Sequence, residues 1–234
     1  MTSATIDLFA DREQALAMFD VSRETTARLD RFVALLLAWQ QKTNLISSAT
    51  ISSLWTRHVA DSLQLLQLVP IIPNGTAPPV WLDLGSGGGF PGIIIACSLA
   101  DTPGACVHLV ESNMKKAAFL REAVRELRAP GVVHATRIET LGPELETTVN
   151  YVTARALASL PSLLELIAPF LKKGAKALLL KGQDLDDELT KATKHWKIEA
   201  EQVPSKTNKS GRILIVHTLE RRAPLRIRRT TPSP

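Results

Sequence analysis

The stretch VWLDLGSGGGFPG, residues 80–92, decides the fold that we predict for this chain. It starts as a short apolar run, as in a buried strand, and four of the five residues 85–89 are glycine. Pro91 then suits the first turn of a helix. A strand, a glycine loop and a helix in this order are typical of the first turn of an open α/β sheet, where ligands bind at the carboxyl ends of the strands.

Strand and helix patterns alternate after this stretch, which predicts parallel strands joined by right-handed crossovers. The last two predicted strands are separated only by a polar turn and are expected to form an antiparallel hairpin. We therefore predict an α/β fold with a mostly parallel seven-stranded sheet and an antiparallel last strand. The predicted strands are 80–85, 105–111, 131–137, 151–156, 175–182, 198–203 and 211–219.

The chain before residue 80 has a different pattern. Residues 22–42 show an apolar stripe at helical spacing with Ser22 as a candidate cap, and residues 52–69 predict a second helix. The proline-rich segment 70–79 reads as a linker. We expect an N-terminal helical subdomain over residues 1–70, a main domain over residues 80–219, and a basic, disordered tail over residues 220–234.

Composition limits the class of protein. The net charge is +5, but the tail 220–234 has five arginines and one glutamate, so the rest of the chain is close to neutral. No apolar run is long enough to span a bilayer, and the N-terminus lacks the apolar core of a signal peptide. Cys97 and Cys106 lack metal-binding spacing. We expect a cytoplasmic monomer with reduced cysteines, no metal and no membrane contact.

The glycine loop fits a dinucleotide fingerprint, because Gly87, Gly89 and Gly92 satisfy G-x-G-x-x-G and Glu111 follows at the distance of a ribose carboxylate. This pattern alone is weak. Asp83 lies close to the loop, and its charge would oppose a pyrophosphate at contact distance.

The same stretch also reads as D-x-G-x-G-x-G, with Asp83, Gly85, Gly87 and Gly89. This resembles the first motif of S-adenosylmethionine-dependent methyltransferases. Their cofactor has no phosphate and carries a sulfonium and an ammonium, which suit a loop beside an acid. The glycines let the backbone approach a ligand closely. Glu111 would accept hydrogen bonds from ribose hydroxyls whether the ligand is a dinucleotide or S-adenosylmethionine.

Further motifs resemble one family, the bacterial small-subunit rRNA guanine-N7 methyltransferases, formerly described as glucose-inhibited division protein B. They occur in order along residues 30–220: NLI at 44–46, RHVADSL at 57–63, DLGSGGGFPGI at 83–93, ESNMKKAAFL at 111–120, RIE at 137–139 and ARALASL at 154–160. The resemblance implies a Rossmann-like class I methyltransferase fold. It also implies methyl transfer to N7 of a guanine in the 530 loop of 16S rRNA, guanine 527 in the usual rRNA numbering, with 16S rRNA or the 30S particle as partner.

The resemblance also implies roles for single residues. Gly85 and Phe90 would line the cofactor, Ile138 and Glu139 would flank its adenine, and Arg155 would lie by the cofactor and face the incoming RNA. Substrate-side residues over the cleft would be Asn44, His58 and Asp61. Cations expected to contact RNA phosphates are Arg155, Lys181, Lys206, Lys209 and Arg212, together with the tail.

Plainer alternatives stay open for several of these residues. His58 and Asp61 are three residues apart on a helix and could pair with each other, and Asn44 could be a helix C-cap. Asn150 stands where many family members have an acid. Competing functions are an NAD-binding oxidoreductase, a methyltransferase of another substrate and a non-catalytic RNA-binding module; the low aromatic content of 5% disfavours the last.

Overall fold

The computed structural model describes residues 3–70 and 77–222, with side chains from residue 8 onward. Within these ranges no helix has both the length and the apolarity needed to cross a membrane. Residues 223–234, which include most of the predicted tail, and residues 71–76 of the predicted linker lie outside the described residues.

A seven-stranded sheet forms the centre of the fold. Its strands are β1 (Val80–Leu84), β2 (Cys106–Val110), β3 (Gly131–His134), β4 (Tyr151–Arg155), β5 (Lys176–Lys181), β6 (Trp196–Pro204) and β7 (Arg212–Arg221). They lie in the order β3-β2-β1-β4-β5-β7-β6. Strands β1 to β5 pair in parallel, and β7 runs antiparallel to both β5 and β6. The predicted mostly parallel sheet with an antiparallel last strand is confirmed.

Helices cover both faces of the sheet. The α-helices of the described residues are α1 (Ser3–Leu16), α2 (Arg23–Gln40), α3 (Asp61–Leu63), α4 (Gly92–Ser98), α5 (Met114–Leu127), α6 (Pro143–Thr148), α7 (Leu160–Leu171) and α8 (Leu185–Ala192). One apolar core joins the sheet to α2, α4 and α5, and the other joins it to α6, α7 and α8. Because side chains alternate across a strand, neighbouring residues of β1 enter different cores.

Helix α2 begins and packs as the sequence predicts. The Ser22 side chain accepts a hydrogen bond from the Thr25 N–H, which satisfies one free donor at the start of the helix. Phe32 from its apolar stripe is fully buried and packs against Phe90 and Phe119, with ring centroids 5.4 and 6.1 Å apart. These contacts attach α2 to the end of the glycine loop and to α5.

The second predicted helix is an irregular helical segment. A 3₁₀ turn (Ser48–Ser53), a π-helical turn (Trp55–Ala60), α3 and a second 3₁₀ turn (Gln64–Leu68) follow one another. Neither Ser52 nor Ser53 caps this segment. Asp11 of α1 caps the π-helical turn instead, because its carboxylate accepts from the Trp55 N–H at 2.7 Å and the Thr56 N–H at 3.2 Å.

The N-terminal helices share one core with the sheet, and the predicted subdomain boundary between residues 70 and 80 stays a prediction. Strand β7 extends through Arg221 and so includes the first two residues of the predicted tail. Asn150 lies at the amino ends of β1 and β4, where its side chain accepts from the Val80 N–H at 2.8 Å. The Asn150 amide oxygen accepts this hydrogen bond as a carboxylate oxygen would. The amino ends of the strands lie at the opposite edge of the sheet from the expected site.

Candidate active site

A large cavity lies where the strand order reverses, between β1 and β4, as expected for an open α/β sheet. Its volume is about 920 Å³, and it lies at the carboxyl ends of β1, β2, β4 and β5. The predicted site residues that line it are His58, Asp61, Gly85, Gly87, Phe90, Glu111, Ile138, Glu139 and Arg155. Asp83 and Asn44 do not line it.

The glycine loop needs left-handed backbone at three positions, with φ of +68° at Gly85, +53° at Gly87 and +88° at Gly89. The three glycines differ in what surrounds them. A Cβ at Gly85 would lie 2.6 Å from Leu157 Cδ1, and one at Gly89 would lie 2.8 Å from Ile93. A Cβ at Gly87 would meet only the Gly85 carbonyl oxygen, at 3.7 Å, so Gly87 faces open space in the cavity.

Glu111 follows β2 and holds the glycine loop from the side. Its Oε2 accepts from the Gly87 N–H at 2.9 Å, and its Oε1 accepts from the Asn113 N–H at 2.7 Å. The side chain is 9% exposed and lines the cavity. Each oxygen has a second lone pair, so the carboxylate can still accept from a ligand hydroxyl.

Asp83 lies beneath the loop, and its side chain does not line the cavity. Its Oδ2 accepts from the Gly92 N–H at 3.1 Å and its Oδ1 from the Thr153 hydroxyl at 2.9 Å. Complete burial raises the pKa of Asp83 to about 6, although these hydrogen bonds and the charge of Arg155 act to lower it. Asp83 thus joins β1 to β4 and fixes the start of α4.

Phe90 separates the helical core from the cavity. The imidazole of His58 stacks on its ring with centroids 5.0 Å apart, and the guanidinium carbon of Arg155 lies 5.3 Å from its centroid. Phe90 is therefore more than core packing, because it positions two polar side chains of the cavity.

The hydrogen bonds around His58 indicate its tautomer. Because the Thr50 hydroxyl donates its hydrogen to the Ser47 carbonyl at 2.8 Å, we assign the ring proton to His58 Nε2, which lies 2.9 Å from Thr50 Oγ1. His58 Nδ1 is then a buried lone pair with no partner among the described residues. Burial, followed by the charges of Arg155 and Arg57, lowers the pKa of His58 to about 3, so the ring is neutral.

His58 and Asp61 do not pair with each other, which removes the plainer alternative for both. Asp61 Oδ1 accepts from the Gln64 amide and from the Thr207 hydroxyl, each at 2.8 Å, and Asp61 Oδ2 lies 3.6 Å from Arg155 Nη1. Burial raises the pKa of Asp61, while Thr207 and Arg155 oppose that rise.

Arg155 ends β4 and is 19% exposed, so it is not a surface ion-pair residue. Its guanidinium also donates to the Arg57 carbonyl at 3.2 Å. Ala156 follows with a φ of +51°, which is uncommon for a residue other than glycine, and it lines the cavity. The chain is therefore sharply turned immediately after Arg155.

Asn44 is exposed and does not end α2, which stops at Gln40, so the C-cap alternative is wrong. The segment around it still reaches the site. The Gln40 side chain accepts from the N–H groups of Leu45 and Ile46, and a Cβ at Gly88 would lie 2.9 Å from the Leu45 carbonyl. Residues 45–46 thus cover the glycine loop, with Asn44 beside them.

The cations predicted for RNA contact differ in availability. Lys181 is 11% exposed and pairs with Glu188 at 2.5 Å, so it is already neutralised. Arg155 and Arg212 line the cavity. Lys206 and Lys209 are exposed on the β6–β7 turn, with Lys206 Nζ 5.8 Å from the Phe19 ring.

Several residues of the site were not found from the sequence. Polar residues of this kind are Ser47, Thr50, Gln64, Ser205, Thr207 and Asn208, which line the cavity or bond to residues that do. They lie on either side of the RHVADSL motif, within residues 47–64, and in the β6–β7 turn, and none of them belongs to a motif. The described residues contain no cluster of three or more His, Cys, Asp or Glu able to hold a metal.

Comparison with known proteins identifies the family. Residues 25–215 match the family model described as GidB, rRNA small subunit methyltransferase G. The chain belongs to this family. It is 53% identical over 221 residues, covering 94% of this chain and 97% of the relative, to ribosomal RNA small subunit methyltransferase G of Bradyrhizobium sp. strain ORS 278. Its match in Nitrobacter hamburgensis, of the same name, is 55% identical over 91% of this chain and 80% of that protein.

Among solved structures, the chain resembles the CMeT domain of the citrinin polyketide synthase, with a TM-score of 0.52 and 14% identity over 82% of this chain and 65% of that one. Identity this low shows the fold alone. The family that the sequence motifs predicted is confirmed, and so is the class I methyltransferase fold.

Proposed function

We propose that this protein transfers a methyl group from S-adenosylmethionine to N7 of a guanine in the 530 loop of 16S rRNA, guanine 527 in the usual numbering. Family membership over residues 25–215 supports the reaction. The observation that carries the cofactor assignment is local: the Gly87 N–H, which would bind a phosphate in a dinucleotide site, is held by the Glu111 carboxylate.

The residues present fit S-adenosylmethionine better than a dinucleotide. A second amide, the Gly92 N–H, is bonded to Asp83 beneath the loop, so neither this amide nor the Gly87 N–H is free for a diphosphate, and the Glu111 carboxylate would repel one. A cationic ligand meets the same charges favourably. We propose that the cofactor is held by Gly85, Gly87, Phe90, Glu111, Ile138, Glu139 and Arg155, with Asp83 acting from beneath the loop.

The adenine end of this site would be formed after β3. Ile138–Thr140 is a 3₁₀ turn that places Ile138, half-buried, and Glu139, exposed, on the cavity wall. An apolar side chain beside a carboxylate suits a base with an exocyclic amine, because the ring needs apolar contact and the amine needs an acceptor.

S-adenosylmethionine supplies an electrophilic methyl group on a positively charged sulfur. Guanine N7 has a free lone pair and no proton to lose, so the protein needs no general base. The neutral, Nε2-protonated state of His58 agrees with this, since a ring with a pKa of about 3 is a poor base at neutral pH. The task of the protein is to align N7 with the methyl group.

Charge moves onto the guanine during the transfer, and the substrate side of the cavity has a carboxylate to meet it. We propose that Asp61 serves this role, held by Thr207 and balanced by Arg155. His58 and Asn44 would contact the target nucleotide or its neighbours.

N7 lies in the deep, narrow groove of A-form RNA, which side chains do not reach, so the guanine must be presented from an open loop or flipped out. We propose phosphate contacts from Arg212, Lys206 and Lys209 around the cavity mouth. We also propose that the protein acts in the cytoplasm as a monomer, on 16S rRNA or the 30S particle.

One titration separates this function from an oxidoreductase: calorimetry with S-adenosylmethionine, its demethylated product and NAD. We expect micromolar or tighter binding of the first two and none of NAD. Tight binding of NAD alone would contradict the proposal. Tritiated methyl transfer to 30S particles from a strain lacking the enzyme then separates rRNA from any other methyl acceptor.

A further inference from the structure

Gln64 lies immediately after the RHVADSL motif and is 2% exposed, although it is a polar residue. A buried amide is costly unless its donors and acceptor are all satisfied. Its partners therefore show what its burial achieves.

The Gln64 side chain connects two segments that are far apart in sequence. Its Nε2 donates to Asp61 Oδ1 at 2.8 Å and to the Asp61 carbonyl at 3.1 Å, with Ser205 Oγ at 3.3 Å. Its Oε1 accepts from the Lys206 N–H at 3.0 Å. One amide thus fixes a carboxylate of the helical segment and the backbone of the β6–β7 turn.

The β6–β7 turn, residues 205–211, forms one wall of the cavity. Its position identifies which ligand it serves. The glycine loop, Glu111 and Ile138 follow β1, β2 and β3 on one half of the sheet, whereas the turn leads into β7 on the other half, beyond β4 and β5. If the first half holds the cofactor, the turn borders the space left for the RNA.

We propose that Gln64 is a positioning residue for the substrate side: it orients the Asp61 carboxylate and holds the 205–211 turn against the RHVADSL segment. This rests on the proposed function. Gln64 touches neither ligand; it acts through Asp61, whose Oδ1 it shares with Thr207 and whose Oδ2 faces Arg155.

The first test replaces the amide by an apolar side chain of similar length. We expect Gln64→Met to lower kcat/KM for 30S particles at least tenfold, while the dissociation constant of S-adenosylmethionine changes less than twofold. The matched control is Gln202→Met, the same change at an exposed position on β6 of the same hairpin, with near wild-type transfer. A Gln64→Met enzyme with wild-type kcat/KM would overturn the proposal.

The second test uses pH to restore the missing donor. In Gln64→Glu, a protonated carboxyl can donate to Asp61 Oδ1, whereas an ionised one repels it. The charged groups around this position are Asp61, Arg57 and Arg155 from the site and Lys206 from the turn. We expect Gln64→Glu to be as impaired as Gln64→Met at pH 8 and to recover at least fivefold relative to wild type at pH 6. Equal impairment at both pH values would contradict a positioning role.

Hydrogen exchange separates failure of this proposal from failure of the proposed function. In Gln64→Met, the Lys206 N–H should exchange at least tenfold faster than in wild type, while amides of β1 and β4 keep their rates. This result is expected whatever the methyl acceptor is. Unchanged protection of Lys206 would overturn the proposal even if the wild-type enzyme methylates rRNA.

Discussion

The Gly87 N–H donates to Glu111 Oε2 at 2.9 Å, and this hydrogen bond decides what the glycine loop can bind. An amide that is bonded to a carboxylate is not free for a phosphate oxygen, and the negative charge repels one. The same carboxylate keeps lone pairs for ligand hydroxyls. The loop therefore favours an uncharged sugar or a cationic group over a diphosphate.

Neutralising Glu111 should weaken cofactor binding. In Glu111→Gln the charge is lost, and one of the two backbone donors, Gly87 or Asn113, loses its acceptor. A hydrogen bond to a charged group contributes about 1.5–3 kcal/mol, so we expect roughly ten- to hundredfold weaker binding of S-adenosylmethionine by calorimetry. Glu126→Gln, at an exposed site on α5, is the control. Equal affinities in both variants would remove Glu111 from the site.

A methyl group at Gly87 should enter the cofactor space. Gly87→Ala adds a Cβ in open cavity, with a backbone cost of about 1–2 kcal/mol for a left-handed alanine. Gly174→Ala has a similar left-handed cost, with a φ of +98°, and its Cβ meets nothing within 4 Å. We expect both variants to lose stability in thermal unfolding, but only Gly87→Ala to lose cofactor affinity, by at least tenfold. Gly85→Val would be a poorer test, because its side chain would displace Leu157.

Asp83 should make the folded protein less stable as pH rises. Its pKa is about 6 in the folded state against 3.8 in the unfolded chain, so the folded state holds its proton more tightly. Stability is therefore lost as pH increases from about 4 to 6 and then levels off. Asp83→Asn keeps an oxygen for the Gly92 N–H, and the Thr153 hydroxyl can reverse to accept. We expect this variant to gain on the order of 2–3 kcal/mol relative to wild type between pH 4 and pH 7.

The Asp83 experiment also has a clear contrary outcome. The quantity to compare is the difference in unfolding free energy between wild type and Asp83→Asn, measured by denaturant unfolding. If this difference is the same at pH 4 and at pH 7, Asp83 ionises in the folded protein at no cost. Because the electrostatic role proposed for Asp83 depends on its charge, Asp83→Asn should also bind S-adenosylmethionine more weakly than wild type.

His58 should affect the rate of methyl transfer without changing its protonation state between pH 6 and pH 8. With a pKa of about 3 it is neutral from pH 6 to 8, so the rate of methyl transfer should show no inflection near pH 6.5. His58→Ala removes the ring stacked on Phe90 and should impair transfer at least tenfold while sparing cofactor affinity. His195→Ala, exposed before β6, is the control. An inflection near pH 6.5 that disappears in His58→Ala would make the ring an acid or base.

The cations of the β6–β7 hairpin and the paired Lys181 should behave differently in a salt titration. Lys209→Ala and Arg212→Ala should each weaken binding of a 16S fragment and lower the slope of log K against log salt by about 0.7–0.9. Lys181→Ala should leave that slope unchanged and cost stability, roughly 1–3 kcal/mol, because it leaves Glu188 without its partner. A slope change for Lys181 alone would reverse these roles.

The sequence was sufficient for the sheet and for the glycine loop that lines the cavity. The strands have strong apolar patterns, and the left-handed turns of the loop require glycines, so Gly85, Gly87 and Gly89 could be read directly. Glu111 and Arg155 each follow a predicted strand, and the carboxyl ends of neighbouring parallel strands meet at one edge of the sheet.

The contacts around His58 and Asp61 could not be predicted, because they join segments far apart in the chain. Asp11 caps a helical turn 44 residues later, and Thr207 and Gln64 meet at Asp61 across about 140 residues. No local pattern marks such partners. Asp83 was placed near the right loop, but only the fold shows that its side chain points beneath the loop rather than into the cavity.

The most direct test of the account is to map the methyl group itself. Purified protein, S-adenosylmethionine and 30S particles from a strain lacking the enzyme are incubated, and the 16S rRNA is then reduced and cleaved with aniline, which cuts at N7-methylguanine. The account predicts one new cleavage, at guanine 527 in the 530 loop, that requires the cofactor. Methylation at another atom or nucleotide, or no methylation of rRNA and of particles alike, would contradict it.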